Sequence, residues 1–331
     1  MGKKAKILIT GSSGFIGTHL VEIALQQQFE IYAMVRKSSN TKYLENANIV
    51  YGDINNAQSL FSIFSDFSEN NVTIDYVIHT AALTKSNSKK DFFATNYYGT
   101  ENLINALKKF NIIPKKIIFI SSLAASGPVK AKNQIKVSHQ NPITLYGQSK
   151  LQAEQLIKNS GLAYIIIRPT AVYGPGEKDL YTVFKFINKN INPVLGNHKQ
   201  ELTFIYVRDL VRLILRATIS EVKNEIYFAS DGKIYDKHAF SIAISNALNK
   251  KPVNIKFPLA IVRIVAFFSQ YISAITGKTS PLNLEKYNEL VAESWNCEMT
   301  KTTHHFQFQA KHDLESGVKK TAEWYKQNKW I

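Results

Sequence analysis

The chain has 331 residues, 45% of them hydrophobic and 20% charged, a globular composition long enough for one large domain or two lobes. A single cysteine, Cys297, excludes an intramolecular disulfide and fits a reducing compartment. The formal charge of +16 comes from lysines scattered beside Asn, Gln and Glu, with no dense arginine block; it reads as a solvated surface, and no nucleic-acid partner is expected.

Taken in chain order, "MGKKAKILITG" has only a short apolar run before Gly11, too short for a signal-peptide core. Lys6 also stands where a myristoylation pattern wants Ser or Thr, so a cytoplasmic location is expected. "AKILIT" (5–10) reads as a short buried strand, "FIGTHLVEIALQQQ" has apolar residues at helical spacing, and "FEIYAMV" is again strand-like. The runs 75–81, 115–121 and 163–169 are apolar, rich in β-branched residues, and each follows a helical segment. Such strands imply a parallel sheet covered on both faces, the doubly wound α/β architecture of Rossmann type. The expected domains are 1–172, completed by 203–230, for a dinucleotide, with 173–202 and 231–331 as a smaller, mostly helical substrate lobe.

"FPLAIVRIVAFFSQYISAITG" (257–277) is the most apolar stretch. Arg263 and Gln270 interrupt it and Pro258 and Gly277 bound it, leaving fewer than the ~20 mainly apolar residues a spanning helix needs. It is expected to be a helix packed over a substrate pocket, with shallow contact at a membrane surface as the alternative.

"ITGSSGFIGTHL" puts Gly11, Gly14 and Gly17 directly after the first strand and at the start of the first helix. One glycine permits a tight turn, one lets backbone approach a pyrophosphate, and one lets helix and sheet pack closely. The helix N-terminus, with Phe15 and Ile16 in its first turn, offers N–H groups to the phosphates. Further on, Asp53 and Ile54 are placed to meet an adenine. Thr80, Ala81 and Ala82 follow the fourth strand as small residues where backbone passes a nicotinamide ribose, and His79 is expected to be a packed strand residue. At the end of the second strand no carboxylate follows Val35; Arg36 and Lys37 stand there instead, which suits the 2′-phosphate of NADP better than the bare ribose of NAD.

Tyr-x-x-x-Lys occurs three times, at Tyr146/Lys150, Tyr181/Lys185 and Tyr325/Lys329, so spacing alone selects none of them. The motifs "HTAA", "NYYGTENL" (96–103), "ISSLAASG" (120–127), "YGQSK" (146–150) and "RPTAVYGP" (168–175), with the glycine turn, resemble in content and order the extended short-chain dehydrogenase/reductase family of the NAD-dependent epimerase/dehydratase type. Its dihydroflavonol-reductase and 3β-hydroxysteroid-dehydrogenase branch is the nearest likeness. The resemblance covers roughly 5–230 and picks Tyr146 and Lys150, which follow Ser122 at the end of the fifth strand. It implies that Tyr146 is the acid/base, Lys150 its electrostatic partner and ribose ligand, and Ser122 the holder of the substrate oxygen. Asn96, Pro169 and Val172 join the cofactor contacts, and the chain is expected to pair as a homodimer.

Two departures narrow the activity. The 4,6-dehydratases of the family carry an Asp–Glu pair after the active-site hydroxyl residue, whereas Leu123 and Ala124 follow Ser122. Nucleotide-sugar epimerases usually place an arginine where Leu202 stands. The reading is therefore an NADP- or NAD-dependent reductase or dehydrogenase of a small molecule, for which the apolar 257–277 stretch suggests a lipophilic one, with a sugar epimerase as the alternative. A non-catalytic nucleotide-sensing protein would have no reason to keep the whole residue set. His304 and His305 lack an acidic cluster, so no metal is expected.

Overall fold

The computed structural model describes residues 4–86, 88–276 and 282–331. Gly277, the end of the apolar stretch, lies outside them. The first half alternates β1 (Lys6–Thr10), α1 (Phe15–Gln26), β2 (Glu30–Val35), β3 (Asn48–Tyr51), α2 (Ala57–Glu69) and β4 (Tyr76–His79). Then come α3 (Lys89–Phe93), a π-helical turn over Ala94–Tyr98, α4 (Gly99–Lys109), β5 (Lys116–Ile120), α5 (Leu145–Asn159) and β6 (Tyr164–Pro169). The second half holds β7 (Ala171–Tyr173), α6 (Tyr181–Asn188), β8 (Ile191–Leu195), β9 (Glu201–Leu202), β10 (Phe204–Tyr206), α7 (Val207–Ile219) and β11 (Glu225–Ala229). It closes with β12 (Tyr235–Asp236), α8 (Ala239–Leu248), β13 (Val253–Phe257), α9 (Leu259–Thr276), α10 (Leu284–Val291), α11 (Thr300–Phe306) and α12 (Leu314–Gln327).

Seven strands form the main sheet in the order β11-β6-β5-β4-β1-β2-β3, with β1 to β6 pairing in parallel. The apolar residues of the central strands are buried, Ile7, Leu8, Ile117 and Ile118 completely, because helices cover both faces of a doubly wound sheet, whereas the edge strand β3 leaves Tyr51 exposed. The expected α/β architecture is the one found.

The chain divides into two compact units: residues 1–125, 145–168 and 211–227, and residues 126–144, 169–210 and 228–331. The stretch 126–144, read from sequence as part of the first domain, clusters with the second unit. The N–H of Val129 donates to Ser294 O at 3.0 Å and that of Ile135 to Asn296 O at 2.7 Å. The core of the second unit is aromatic: Phe204 stacks on Phe240 with centroids 5.3 Å apart, and Tyr325 stacks on Trp330 at 5.2 Å. Tyr181 and Tyr325, of the two rejected Tyr-x-x-x-Lys pairs, belong to this cluster. Their hydroxyls donate to the carbonyls of Trp330 and Glu177, so they are packing residues.

α9 differs from its expectation. Val262 and Ala266 pack inward, but Ile264, Phe268 and other large apolar side chains face solvent, so the helix is not packed down by its apolar face. No helix among the described residues is long and apolar enough to cross a membrane.

Candidate active site

The strand order reverses between β1 and β4, and ligands of doubly wound sheets bind in the crevice outside the strand ends at such a switch point. Gly11 follows β1 with φ +70°, and a Cβ there would lie 2.7 Å from Ala81 Cα. The turn therefore lies against the backbone that leaves β4, and only glycine fits. A Cβ on Gly17 would overlap the Gly11 carbonyl oxygen, so α1 sits directly on the turn. Gly14 begins α1 in extended conformation; no side chain caps the helix and no acidic residue stands in its first turn, which holds Phe15 and Ile16. A bare helix N-terminus of this kind suits a pyrophosphate. Beside it, the Thr80 hydroxyl donates to Thr10 O at 2.7 Å and the Ala81 N–H to Thr10 Oγ1 at 3.3 Å, while Ala82 is exposed. His79 is buried between the hydroxyls of Thr10 (2.6 Å) and Thr100 (3.0 Å).

The rim past β2 and β3 carries the other cofactor candidates. Arg36 and Lys37 are exposed on a turn closed by Ser39 N–H donating to Arg36 O at 2.9 Å. The Asp53 carboxylate accepts from Asn55 N–H at 2.9 Å, and Ile54 O accepts from Asn102 Nδ2 at 2.9 Å. Pro169 ends β6 and Val172 lies in β7, paired with Ile205; both belong to the second unit.

Ser122 follows β5 by two residues, and its Oγ accepts from Ala124 N–H at 3.1 Å. Tyr146 and Lys150 occupy the first turns of α5, one helical turn apart and thus on one face. The Tyr146 ring lies 6.2 Å from that of Phe92. Lys150 is 1% exposed; its Nζ donates to Ile120 O at 2.7 Å and sits 4.1 Å above the Phe119 ring. One buried ammonium thus fastens α5 to the end of β5, where Ser122 emerges. Burial pulls the Lys150 pKa down to about 7, against the opposing pull of Glu154.

Asn96 was named from the resemblance, near the nicotinamide or as a pin of the active-site backbone, and one further feature escaped the sequence reading. Asn96, in the π-helical turn, accepts from Leu83 N–H at 2.8 Å and donates to Leu83 O at 3.0 Å and to Ser149 Oγ at 2.9 Å. Its amide is taken up in clamping the loop after β4 to α5, a positioning role. The feature that escaped is a buried ion pair: Glu154 accepts from Arg168 Nε (2.9 Å) and Nη2 (2.6 Å), and from the Ser121 hydroxyl. Glu154 lies four residues beyond Lys150, and Arg168 precedes the proline of "RPTAVYGP"; that spacing was the available signal.

A doubly wound sheet with a glycine turn against the post-β4 backbone and a serine–tyrosine–lysine set past β5 defines a nicotinamide-dinucleotide enzyme of the extended short-chain kind. Residues 7–229 match the model of the NAD dependent epimerase/dehydratase family, and the chain belongs to that family. Among curated relatives it is 26% identical to N-acetyl-alpha-D-glucosaminyl-diphospho-ditrans,octacis-undecaprenol 4-epimerase of Escherichia coli O157:H7, over 96% of this chain and 94% of that one. It is 22% identical to the ceramide reductase of Caulobacter vibrioides, over 98% and 96%. UDP-glucose 4-epimerase and dTDP-D-glucose 4,6-dehydratase are also among the relatives. The fold is similar to that of UDP-glucose 4-epimerase from Thermotoga maritima, with TM-score 0.79 at 21% identity, covering 98% of this chain and 99% of the other.

Proposed function

We propose that the protein is a carbonyl reductase that prefers NADP(H) and acts on a lipophilic ketone, running in reverse as a secondary-alcohol dehydrogenase. The observation that carries this reading is the rim of β2: past buried Val35 there is no carboxylate to hold a ribose 2′-hydroxyl, and two exposed cations stand in its place. The bound dinucleotide supplies the hydride. Ser122 holds the substrate oxygen and Tyr146 gives it a proton. Lys150, one helical turn on along the same face of α5, favours the tyrosinate that remains when it carries its charge.

Several features support a redox step without dehydration or nucleotide-sugar binding. Leu123 and Ala124 offer no carboxyl group for abstracting a carbon-bound proton, and Leu202 offers no guanidinium to a diphosphate. Two of the relatives named above that match nearly the whole chain carry lipids in their names, a polyprenyl diphosphate and a ceramide, while a third is a nucleotide-sugar dehydratase. The first two are the ground for a lipophilic substrate, together with the dihydroflavonol-reductase and steroid-dehydrogenase likeness of "SSLAASGP".

A second reading has its own observation. The Escherichia coli relative is a 4-epimerase, and epimerases use the same residues while recycling a held cofactor. The test is NADPH consumption with long-chain ketones, ketosteroids and lipid-linked or nucleotide-linked sugars. Stoichiometric NADPH oxidation with a ketone supports the reductase. Purified protein that retains NAD and inverts a sugar carbon without net redox rejects it for the epimerase.

A further inference from the structure

The second unit carries an apolar surface that the proposed reaction does not use. On α9, Ile261, Ile264, Val265, Phe267, Phe268 and Tyr271 are all at least half exposed, Tyr271 at 62%. At 100° per residue these six positions span an arc of ~160°, and the residues that pack inward, Val262 and Ala266, lie outside it. Pro258 alone separates α9 from β13, whose Val253, Ile255 and Phe257 point to one face by strand alternation and are exposed as well. Monomeric soluble proteins rarely expose so continuous an apolar patch without using it.

Charge points to what covers it. From Lys237 to Leu284 the sequence holds six Lys or Arg and not one Asp or Glu. Lys251, Lys256 and Arg263 are exposed, in and beside the apolar segment. A second copy of this chain would bring an equally basic surface against this one, whereas an anionic bilayer brings the opposite charge. An apolar helical face flanked by cations, on a helix too short and interrupted to span, is the form of helices that lie in the membrane interface.

We infer that α9 and β13 dock this protein on the surface of an anionic lipid bilayer, the apolar face entering the acyl boundary and the flanking lysines and Arg263 meeting phosphate headgroups. This assignment stands apart from the proposed reaction, since it concerns where the protein works and not which bond it changes.

The test is co-sedimentation of the full chain with phosphatidylcholine vesicles with and without phosphatidylglycerol. Binding to the anionic vesicles is expected to exceed binding to the neutral ones severalfold and to weaken only in part at high salt, since salt screens charge but not apolar insertion. Ile264→Asp with Phe268→Asp should lower the bound fraction at least tenfold with no loss of melting temperature, because both side chains already face water. Insertion can be read in a protein that keeps its surface. Cys297, the sole cysteine, is buried, so Phe267→Cys can carry a polarity-sensitive dye, expected to shift to the blue on anionic vesicles. Equal sedimentation of the wild type with and without vesicles, an unshifted dye, or an Asp variant that binds as well as the wild type overturns the inference. So does a wild-type dimer that the Asp pair converts to monomer while neither form binds vesicles, which would assign the face to a second copy.

Discussion

Lys150 and His79 are buried bases near the candidate site, and burial lowers the pKa of each for the same reason: the charged form loses its water. For Lys150 this makes charge conditional on its neighbours, with Glu154 favouring the ammonium. Tyr146→Phe removes only the proposed proton donor, so turnover should fall by roughly 10²–10⁴ with NADPH binding nearly unchanged. Lys150→Met should damage both, and should also destabilise the fold because it releases the bond to Ile120 O. Cofactor titration beside single-turnover assays separates the two effects; a Tyr146→Phe enzyme keeping a tenth of its activity rejects the assignment. His79 predicts a pH dependence. Burial, helped by the charge of Lys150, takes its pKa from 6.5 to about 3, so between these values the unfolded chain binds a proton that the folded chain refuses. Stability from this residue is whole above pH ~6.5 and is lost on acidification, by about 1.4 kcal/mol for each pH unit down to pH ~3. Urea unfolding at pH 7, 6 and 5 should show that slope, and His79→Asn, whose amide does not titrate, should flatten it.

At the scale of elements, α5 is the member on which the proposed chemistry depends, and it is fixed at several points. Lys150 ties it to β5, Ser149 to Asn96, and Glu154 to Arg168 on β6. The Glu154–Arg168 pair is completely buried, where desolvation offsets most of the Coulomb gain. Glu154→Gln, which strands the guanidinium, should cost about 3–5 kcal/mol in urea unfolding, whereas Glu154→Leu with Arg168→Met should be nearly neutral. A double variant as unstable as the single one would mean that packing, not charge, is what the pair supplies. Little of this arrangement could be read from the chain. The main strands and the glycine turn were legible because buried parallel strands are continuous apolar runs and the turn is a local pattern. Spacing did not separate Tyr146 from Tyr181 and Tyr325; the family motifs around it and its place after β5 are what single it out in the sequence. The Asn96 clamp on Leu83, the Glu154–Arg168 pair and the attachment of 129–135 to 294–298 join residues far apart in sequence, where no period announces them. The apolar content of α9 was plain, but its direction was not, since composition does not say which face a helix turns to water.

On the scale of the whole molecule, the two proposals fit one another: a reductase of lipophilic ketones gains from working at the bilayer that dissolves them. Cofactor choice can be read from the stability of the entire chain, because a ligand that binds only the folded state raises the melting temperature in proportion to RT ln(1 + [L]/Kd). At a concentration 100 times Kd that is about 2.7 kcal/mol, enough for a shift of several degrees. Arg36 and Lys37 are exposed and lie past β2 with no carboxylate to compete for them, so a 2′-phosphate can take a forked, charge-assisted grip from the guanidinium. NADPH should therefore raise the melting temperature more than NADH at equal concentration and should show the higher kcat/KM. Arg36→Ala should lower kcat/KM for NADPH by roughly tenfold or more, the loss expected when a charged hydrogen-bond partner is removed, and leave NADH within about twofold. Calorimetry and steady-state rates on the same four combinations check each other. Equal shifts for the two cofactors in the wild type, or an unchanged ratio in the variant, would remove the ground for NADP and return the weight to an epimerase that holds NAD.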